Sequence, residues 1–376
     1  MASSVLTTDL AREIAAETTR ILGRNVLITD DDAMVIGSGD PGRLGSVHEA
    51  SVGVLATGTA ASHDSAQASA LIGVLPGITM PIVLDGAVVG TVGITGPPGQ
   101  VTQLGQLVQR QTEILLRESL YQRTRLLREN RLAQLVRDIA LFDPRVVDEQ
   151  IVLAGAAELG YDLAHERVSL VFEVQPGAAR QPSASRTIAE IFDARADIVA
   201  EMAVGRYAVL HRPRKGGTDS PAGRGRRAAE LLRRRYEIVV HVGIGGTGSG
   251  VVGIADSLAD ASAALRLGSP RSGADIAIAD IADLRVLQLL DAAGHGARAR
   301  FTDAQLARLV IEPDYAALRD SLIAWCESGF NLVGTAARLS IHRNTVVYRL
   351  DKIAALTGRN PRDPKIAVAM YLACLV

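Results

Sequence analysis

Cysteine is nearly missing from this chain: Cys326 and Cys374 are the two in 376 residues. Two are too few for a disulfide framework and lack the clustering of a structural zinc site, which fits a reducing cytosol and leaves both as core residues. Net charge is missing too. With 40 Lys and Arg against 41 Asp and Glu the formal charge is -1, so no global field draws the chain onto nucleic acid or membrane, and any surface for a polyanion has to be local. No apolar run approaches the ~20 residues of a membrane span, and Met1 to Arg12 has no basic stretch followed by an apolar one. A cytoplasmic chain with no membrane partner is expected, and its length favours two or three domains.

What is present starts with Leu10, Ile14 and Ile21, a helical stripe after the capping candidates Thr7 and Thr8 that Gly23 stops. Residues 25–29 and 34–37, joined by the polar Asp30-Asp31-Asp32, read as a hairpin. Residues 79–84 and 87–95 flank Asp85-Gly86, a dipeptide suited to the positive φ angles of a tight hairpin turn. Residues 1–100 are thus expected to form a small α/β sensor domain. Residues 101–141 contain no proline and predict a long helix, with Val101, Leu104, Val108 and Leu115 in heptad register and Leu132, Leu135, Val136 and Ile139 on a later stripe. The register fails between Arg117 and Arg125, which favours packing against another subunit or domain over a sustained coiled coil.

Asp143-Pro144 reads as the cap and first-turn proline of a helix ended by Gly160. The pattern then runs strand 168–174, helix 184–201, strand 206–211, helix 226–236, strand 238–244 and helix 257–267, an α/β middle domain over 142–295. Its one flexible insert is 212–225. From 296 to 376 the chain reads as all helix.

Within that last region, Thr335 to Ile353 carries the spacing of a helix-turn-helix. Ala336 is small where the first helix must let the second approach, Ser340 is small at the turn, and Leu339, Ile341 and Val346 are apolar where the helices pack. The second helix buries Val346, Leu350 and Ile353 at i, i+4 and i+7. Arg343, Asn344, Val347 and Tyr348, with His342 and Thr345 beside them, are left near the end that enters a major groove. Arg can donate two parallel hydrogen bonds to guanine and Asn can do the same with adenine. Arg338, Arg349, Lys352, Arg359, Arg362 and Lys365 are candidates for phosphates. Seven basic residues between 335 and 365 face only Asp351 and Asp363, the local excess that double-stranded DNA requires. An ordinary αα-hairpin with a solvated basic face is the plainer alternative.

The stretch Ile341-His342-Arg343-Asn344-Thr345-Val346-Val347-Tyr348-Arg349-Leu350, followed by Thr357-Gly358, resembles the PucR-type helix-turn-helix of the carbohydrate-diacid regulator family. The N-terminal region is similar to that family's sugar-diacid recognition domain through Gly23-Arg24-Asn25, Gly37-Ser38-Gly39-Asp40, Arg43-Leu44-Gly45, His48-Glu49, Pro76-Gly77, Pro81-Ile82 and Gly93-Ile94-Thr95-Gly96. The resemblance covers nearly the whole chain. It implies a PAS-like α/β sensor domain, a long linker helix, a GGDEF-like α/β middle domain and a C-terminal helix-turn-helix. It also implies a cytoplasmic transcription factor, usually an activator, that responds to glycerate, glucarate or galactarate. One departure is Ala50-Ser51 after His48-Glu49, where the family is expected to have Gly-Ala, and it puts the effector's identity in question.

A small hydroxylated carboxylate needs a cation, hydrogen-bond donors and close backbone amides, and residues 37–49 offer all three. Ser38, Arg43 and His48 are side-chain donors, while Gly37, Gly39 and Gly45, with Gly77 across the site, remove side chains so that amides can line a concavity. Asp40 and Glu49 read as orienting Arg43 and His48. On the residues alone, Asp40-Pro41-Gly42 is as well read as a plain turn and Arg43 as a solvated charge. The resemblance favours the pocket. His48 as a metal ligand lacks partners, and neither a metal nor a cofactor is expected.

The middle domain looks like a degenerate diguanylate-cyclase fold. Where that family carries Gly-Gly-Asp-Glu-Phe, this chain has Ala203-Val204-Gly205-Arg206-Tyr207, without carboxylates to hold the metal ions of phosphoryl chemistry. Residues 243–250, rich in glycine, lack the Lys-Ser/Thr of a P-loop and the spacing of a dinucleotide fingerprint, and read as a connection. The cluster Arg224, Arg226, Arg227, Arg233, Arg234 and Arg235 reads as a solvated helix face. No catalytic residue is expected. A nucleotide-binding or cyclase-like enzyme over 150–290 and an interaction scaffold built on the long helix are the competing readings. A single short recognition helix reads too few base pairs to find a site, so self-association as a dimer or tetramer is expected.

Overall fold

The computed structural model describes residues 6–175, 184–214, 219–268 and 274–375. They divide into two compact units, 1–129 and 130–376.

In the first unit, α1 (Thr8–Leu22) ends at Gly23 in the left-handed conformation, and β1 (Val26–Thr29) and β2 (Val35–Ser38) form the expected hairpin. A 3-10 turn (Pro41–Arg43), α2 (Glu49–Thr57), β3 (Ala61–His63) and α3 (Ser65–Ser69) lead to β4 (Gly77–Leu84) and β5 (Ala87–Thr95). Asp85 and Gly86 both have positive φ, as a tight hairpin turn requires. The five strands make one antiparallel sheet in the order β2-β1-β5-β4-β3. Ile14 is buried with Ala11 and Ala15, but Ile21 is 65% exposed, so the helix packs along a narrower stripe of small residues than expected.

A single helix, α4 (Pro98–Ala140), follows. Val101, Val108 and Leu116 bury against the first sheet, whereas Leu115, the residue in heptad register, is exposed. A helix lying straight on a sheet keeps its 3.6-residue period and drifts off a seven-residue repeat. Between residues 117 and 131 no residue of the helix is fully buried. Leu132, Leu135, Val136 and Ile139 enter the core of the second unit, as expected.

There, α5 (Glu149–Glu158) begins at Asp148, not at Asp143: the side chains of both Asp residues take backbone amides, but only that of Asp148 starts a helix. The central strand is β6 (Arg167–Val174). The long helix expected over 184–201 is instead a short α6 (Ala184–Ala189), a turn, and β7 (Ile198–Ala203). Ile198 and Ala200 are buried with period two, and Asp197 stops the helix by accepting from the amides of Asp193 and Arg212. Next come β8 (Arg206–His211), α7 (Pro221–Tyr236), β9 (Val240–Gly248), α8 (Gly250–Leu267), β10 (Ile276–Asp280) and α9 (Ile281–Ala292). Part of the expected 212–225 insert lies outside the described residues, and from Pro221 it is helical. The sheet order is β10-β9-β6-β8-β7, parallel only between β9 and β10. The end of α4, α5 and α8 cover one face; α6 and α7 cover the other.

The glycine-rich 243–250 segment is mostly strand, not connection. A Cβ on Gly243 or Gly245 would strike the backbone oxygens of Ala261 or Ser257, so the glycines let α8 lie directly on β9. The remaining chain is helical as expected: α10 (His295–Leu306), a 3-10 turn (Ala307–Ile311), α11 (Tyr315–Glu327), α12 (Leu332–Leu339), α13 (Arg343–Thr357) and α14 (Pro364–Leu375) around their own core. Among the described residues, no helix is long and apolar enough to cross a membrane.

Candidate functional site

The cleft in the first unit has its floor in β4 and β5, with Gly77, Thr79, Gly93 and Thr95 at the start of one strand and the end of the other. Arg43 from the 3-10 turn, His48 at the head of α2, His63 of β3 and Leu75 close it. Its cavity volume is about 10 Å³, far below the roughly 300 to 1,000 Å³ of most small-molecule sites. Part of the reason is Arg43, whose Nη2 donates to the carbonyl of Gly73 in the loop before β4. Its Nη1 is buried and has no hydrogen-bond partner. Burial lowers the Arg43 pKa, opposed by the charge of Asp40, so the fold holds a cation with unused donor capacity against the cleft.

His48 is 3% exposed. Its Nδ1 lies 2.7 Å from Ser51 Oγ, and its pKa is pushed down to about 4, first by burial and then by the charges of Arg43 and His63. It is therefore a neutral imidazole at neutral pH, not a second cation.

Of the seven residues expected at this site, Arg43, His48 and Gly77 come together on the cleft. Ser38, Gly39, Asp40 and Gly45 are not among its lining. Ser38 Oγ accepts from the Asp40 amide and lies 3.4 Å from Asn25 Oδ1. Asp40 caps the 3-10 turn by accepting from the Gly42 amide at 3.0 Å. A Cβ at Gly39 would strike the Thr19 side chain, and one at Gly37 the backbone of Ala11, so these two glycines serve the packing of β2 on α1. Gly45 takes a positive φ at a turn. Glu49 braces the loop before β4 by accepting from the Ile72 amide. His63, Thr79 and Thr95 went unseen because each lies on a separate strand, far in sequence from Arg43; Ser51 was visible only as a departure from the family pattern.

In the last domain, Asn331 caps α12 by accepting from the amides of Val333 and Gly334. Ser340 makes the turn with φ of 54°. His342 caps α13, its Nδ1 accepting from the Asn344 amide at 3.2 Å. Val346, Leu350 and Ile353 are fully buried against Leu318, Leu322 and Met370. Arg343, Asn344 and Tyr348 are exposed, while Thr345 and Val347 are half-buried. The expected phosphate contacts look different. Arg338 pairs with Glu327, Arg349 donates to Ser321 Oγ at 3.0 Å, and Lys352 pairs with Asp314 at 2.7 Å and Glu312 at 3.3 Å. Arg359 and Arg362 are bonded to Gln305 and Asp351. Arg343 and Lys365 have no side-chain partner among the described residues.

Four of the six arginines of α7 pair with carboxylates: Arg224 and Arg227 share Asp219, Arg233 meets Asp275 and Arg235 meets Glu190. The turn between β7 and β8 holds Val204 and Gly205, with no carboxylate where a cyclase needs one. No group of three or more His, Cys, Asp or Glu suited to a metal occurs among the described residues.

Three family models match the chain: sugar diacid recognition over residues 6–139, a GGDEF-like domain over 143–267, and the PucR C-terminal helix-turn-helix domain over 318–376. The carbohydrate diacid regulator of Escherichia coli (strain K12) is 31% identical over 384 residues, covering 99% of this chain and 98% of that protein. The protein YsfB of Bacillus subtilis (strain 168) is 24% identical, covering 97% of this chain and 96% of its own length. The purine catabolism regulatory protein of the same organism is 30% identical over 145 residues, 37% of this chain and 26% of that one. With a ligand-sensing N-terminal domain, a middle domain stripped of its acidic turn and a DNA-binding C-terminus, this chain belongs to the carbohydrate diacid regulator family.

Proposed function

We propose that the chain is a cytoplasmic transcriptional activator, working as a dimer or tetramer on a double-stranded DNA operator and controlled by a small hydroxy-acid or sugar diacid such as glycerate, glucarate or galactarate. Labour divides as sensor (1–100), linker and oligomerisation helix (101–141), scaffold (142–295) and DNA-binding domain (296–376). The observation that carries the sensor role is the half-buried guanidinium of Arg43, whose Nη1 is buried without a hydrogen-bond partner, on a narrow cleft. An anion losing its hydration needs a fixed cation and several donors at once, and an entering carboxylate offers Arg43 better acceptors than the Gly73 carbonyl. Ser38, Gly39, Asp40 and Gly45 would act from behind, by holding the turn that carries Arg43. Arg343, Asn344 and Tyr348 would meet base edges, with His342, Thr345 and Val347 beside them and Arg338, Arg349 and Lys352 lying beside phosphates while still held by their protein partners. Self-association is supported by Leu107, Ile114 and Tyr121, exposed at seven-residue spacing on α4.

The experiment is a thermal-shift screen of D-glycerate, D-glucarate and galactarate at millimolar concentration, followed by footprinting with and without the acid that binds. A raised melting temperature and paired half-sites are expected. No shift from any hydroxy-acid or diacid would remove the sensor assignment; a single half-site occupied by a monomer would remove the oligomer.

A further inference from the structure

Three buried hydroxyls lead to His48. Thr29 and Thr91 are cross-strand neighbours on β1 and β5, with Oγ1 atoms 2.9 Å apart. Thr91 Oγ1 is 2.6 Å from Ser51 Oγ, which in turn is 2.7 Å from His48 Nδ1. Thr29, Ser51 and Thr91 are each 0% exposed, and none of the three hydroxyls has another hydrogen-bond partner among the described residues. The chain thus contains three hydrogen bonds, and the three hydroxyls bring three hydrogens. If Nδ1 accepts, every hydrogen is used: Thr29 donates to Thr91, Thr91 to Ser51, and Ser51 to His48. If Nδ1 carries its own hydrogen, four hydrogens compete for three bonds, and one is left buried without an acceptor, the costly outcome for a polar group away from water.

We infer that Thr29, Thr91 and Ser51 are positioning residues that lock His48 in the tautomer with hydrogen on Nε2, making it a directed neutral donor to an oxygen of the effector beside the carboxylate held by Arg43. The effector clause rests on the proposed sensor role; the tautomer does not. Nε2 is the ring donor left for the cleft that His48 lines, and the ring stays neutral in a site that already holds the Arg43 charge. The division of roles is then chemical: Arg43 selects for negative charge, and His48 selects for an acceptor oxygen at one position, as a hydroxy-acid provides.

The test is imidazole nitrogen NMR on the full-length chain with labelled histidine, His48 being assigned through loss of its signals in His48→Gln. Without ligand, hydrogen on Nε2 and an unprotonated, hydrogen-bonded Nδ1 are expected. Ser51→Ala should release the tautomer, moving both nitrogens toward averaged shifts, and weaken D-glycerate, D-glucarate or galactarate, whichever binds, by about tenfold, the loss of one hydrogen bond. Ser51→Thr should restore both. Thr29→Val removes one hydroxyl and one bond together, so it should leave the tautomer unchanged, a result that a merely structural role for the cluster does not require. Hydrogen on Nδ1 in the wild type, or a Ser51→Ala spectrum like the wild type, would overturn the inference. If none of the three acids binds, the sensor reading fails, while the wild-type spectrum still decides the tautomer.

Discussion

The cleft of the first unit and the recognition helix of the last domain prepare for their ligands in opposite ways. Around the cleft, the side chains that matter are tied to the fold, the buried His48 to Ser51 and the half-buried Arg43 to Gly73. On α13, Arg343, Asn344 and Tyr348 face solvent, and the helix is held by other residues, Val346, Leu350 and Ile353. The difference teaches where substitutions should act. In the cleft, binding and stability share the same atoms, so a change in one moves the other. On the helix they are separate, and base reading can be altered with the fold intact.

The largest expected effect tests the first half of that contrast through pH. A histidine in the unfolded chain takes its proton near pH 6.5, whereas His48 in the fold stays neutral down to about 4. Between those values the unfolded state binds the extra proton, so this contribution to stability is fully present above about pH 6.5 and is lost as the pH falls toward 4. The loss should be on the order of 3 kcal/mol. Hydrogen exchange of the β4 and β5 amides, compared at pH 7 and pH 4.5 after correction for intrinsic rates, should show the sheet opening more readily at the lower pH in the wild type and much less change in His48→Gln. Equal pH dependence in the two proteins would break the link between buried site and stability.

Next in size is Arg43→Ala. A ligand at 100 times its dissociation constant stabilises the folded protein by about 2.7 kcal/mol, and removing the one guanidinium on the cleft should erase that gain, read as a melting temperature no longer raised by the acid. A ligand response like the wild type's would move the sensor site elsewhere. On α13, Arg343→Ala or Asn344→Ala should cost about 1 to 3 kcal/mol at one base position of the operator while leaving the melting temperature unchanged, because neither side chain is buried. Wild-type operator selectivity in both variants would remove the recognition helix from its role, and a fall in melting temperature would erase the contrast with the cleft.

The same contrast explains what could be read in the sequence. The helix-turn-helix is legible because its parts are contiguous: cap, small turn residue, buried i, i+4, i+7 positions and exposed polar residues all fall between 335 and 353. The cleft is assembled from five separate segments, and only Arg43, His48 and Gly77 of the expected set meet there. Sequence spacing could not tell that Gly37 and Gly39 answer to α1 instead of to an anion, since that depends on a helix more than a dozen residues earlier packing across β2. The middle domain failed locally at β7, where six residues with helix-compatible composition form a strand because β8 pairs with their backbone. Local charge marks the DNA-binding end correctly, yet three of the seven basic residues between 335 and 365, Arg338, Lys352 and Arg362, are paired with carboxylates within the domain.

That pairing leads to the smallest expected effect. Lys352 sits between Asp314 and Glu312, and the hydrogen bond to Asp314 and then the two carboxylate charges raise its pKa. A lysine already neutralised in this way releases few counterions on meeting a phosphate, so Lys352→Ala should leave the salt dependence of operator binding close to that of the wild type. The Lys365 amide donates to Asp363 Oδ1, but its side chain has no partner among the described residues and can meet a phosphate, so Lys365→Ala should lower the slope of log K against log salt by about 1. Binding isotherms at four salt concentrations between 50 and 200 mM distinguish the two. If Lys352→Ala flattens the slope as much as Lys365→Ala, the ion pairs open on DNA, and α13 prepares its phosphate contacts as the cleft prepares Arg43, by holding them on protein partners until the ligand arrives.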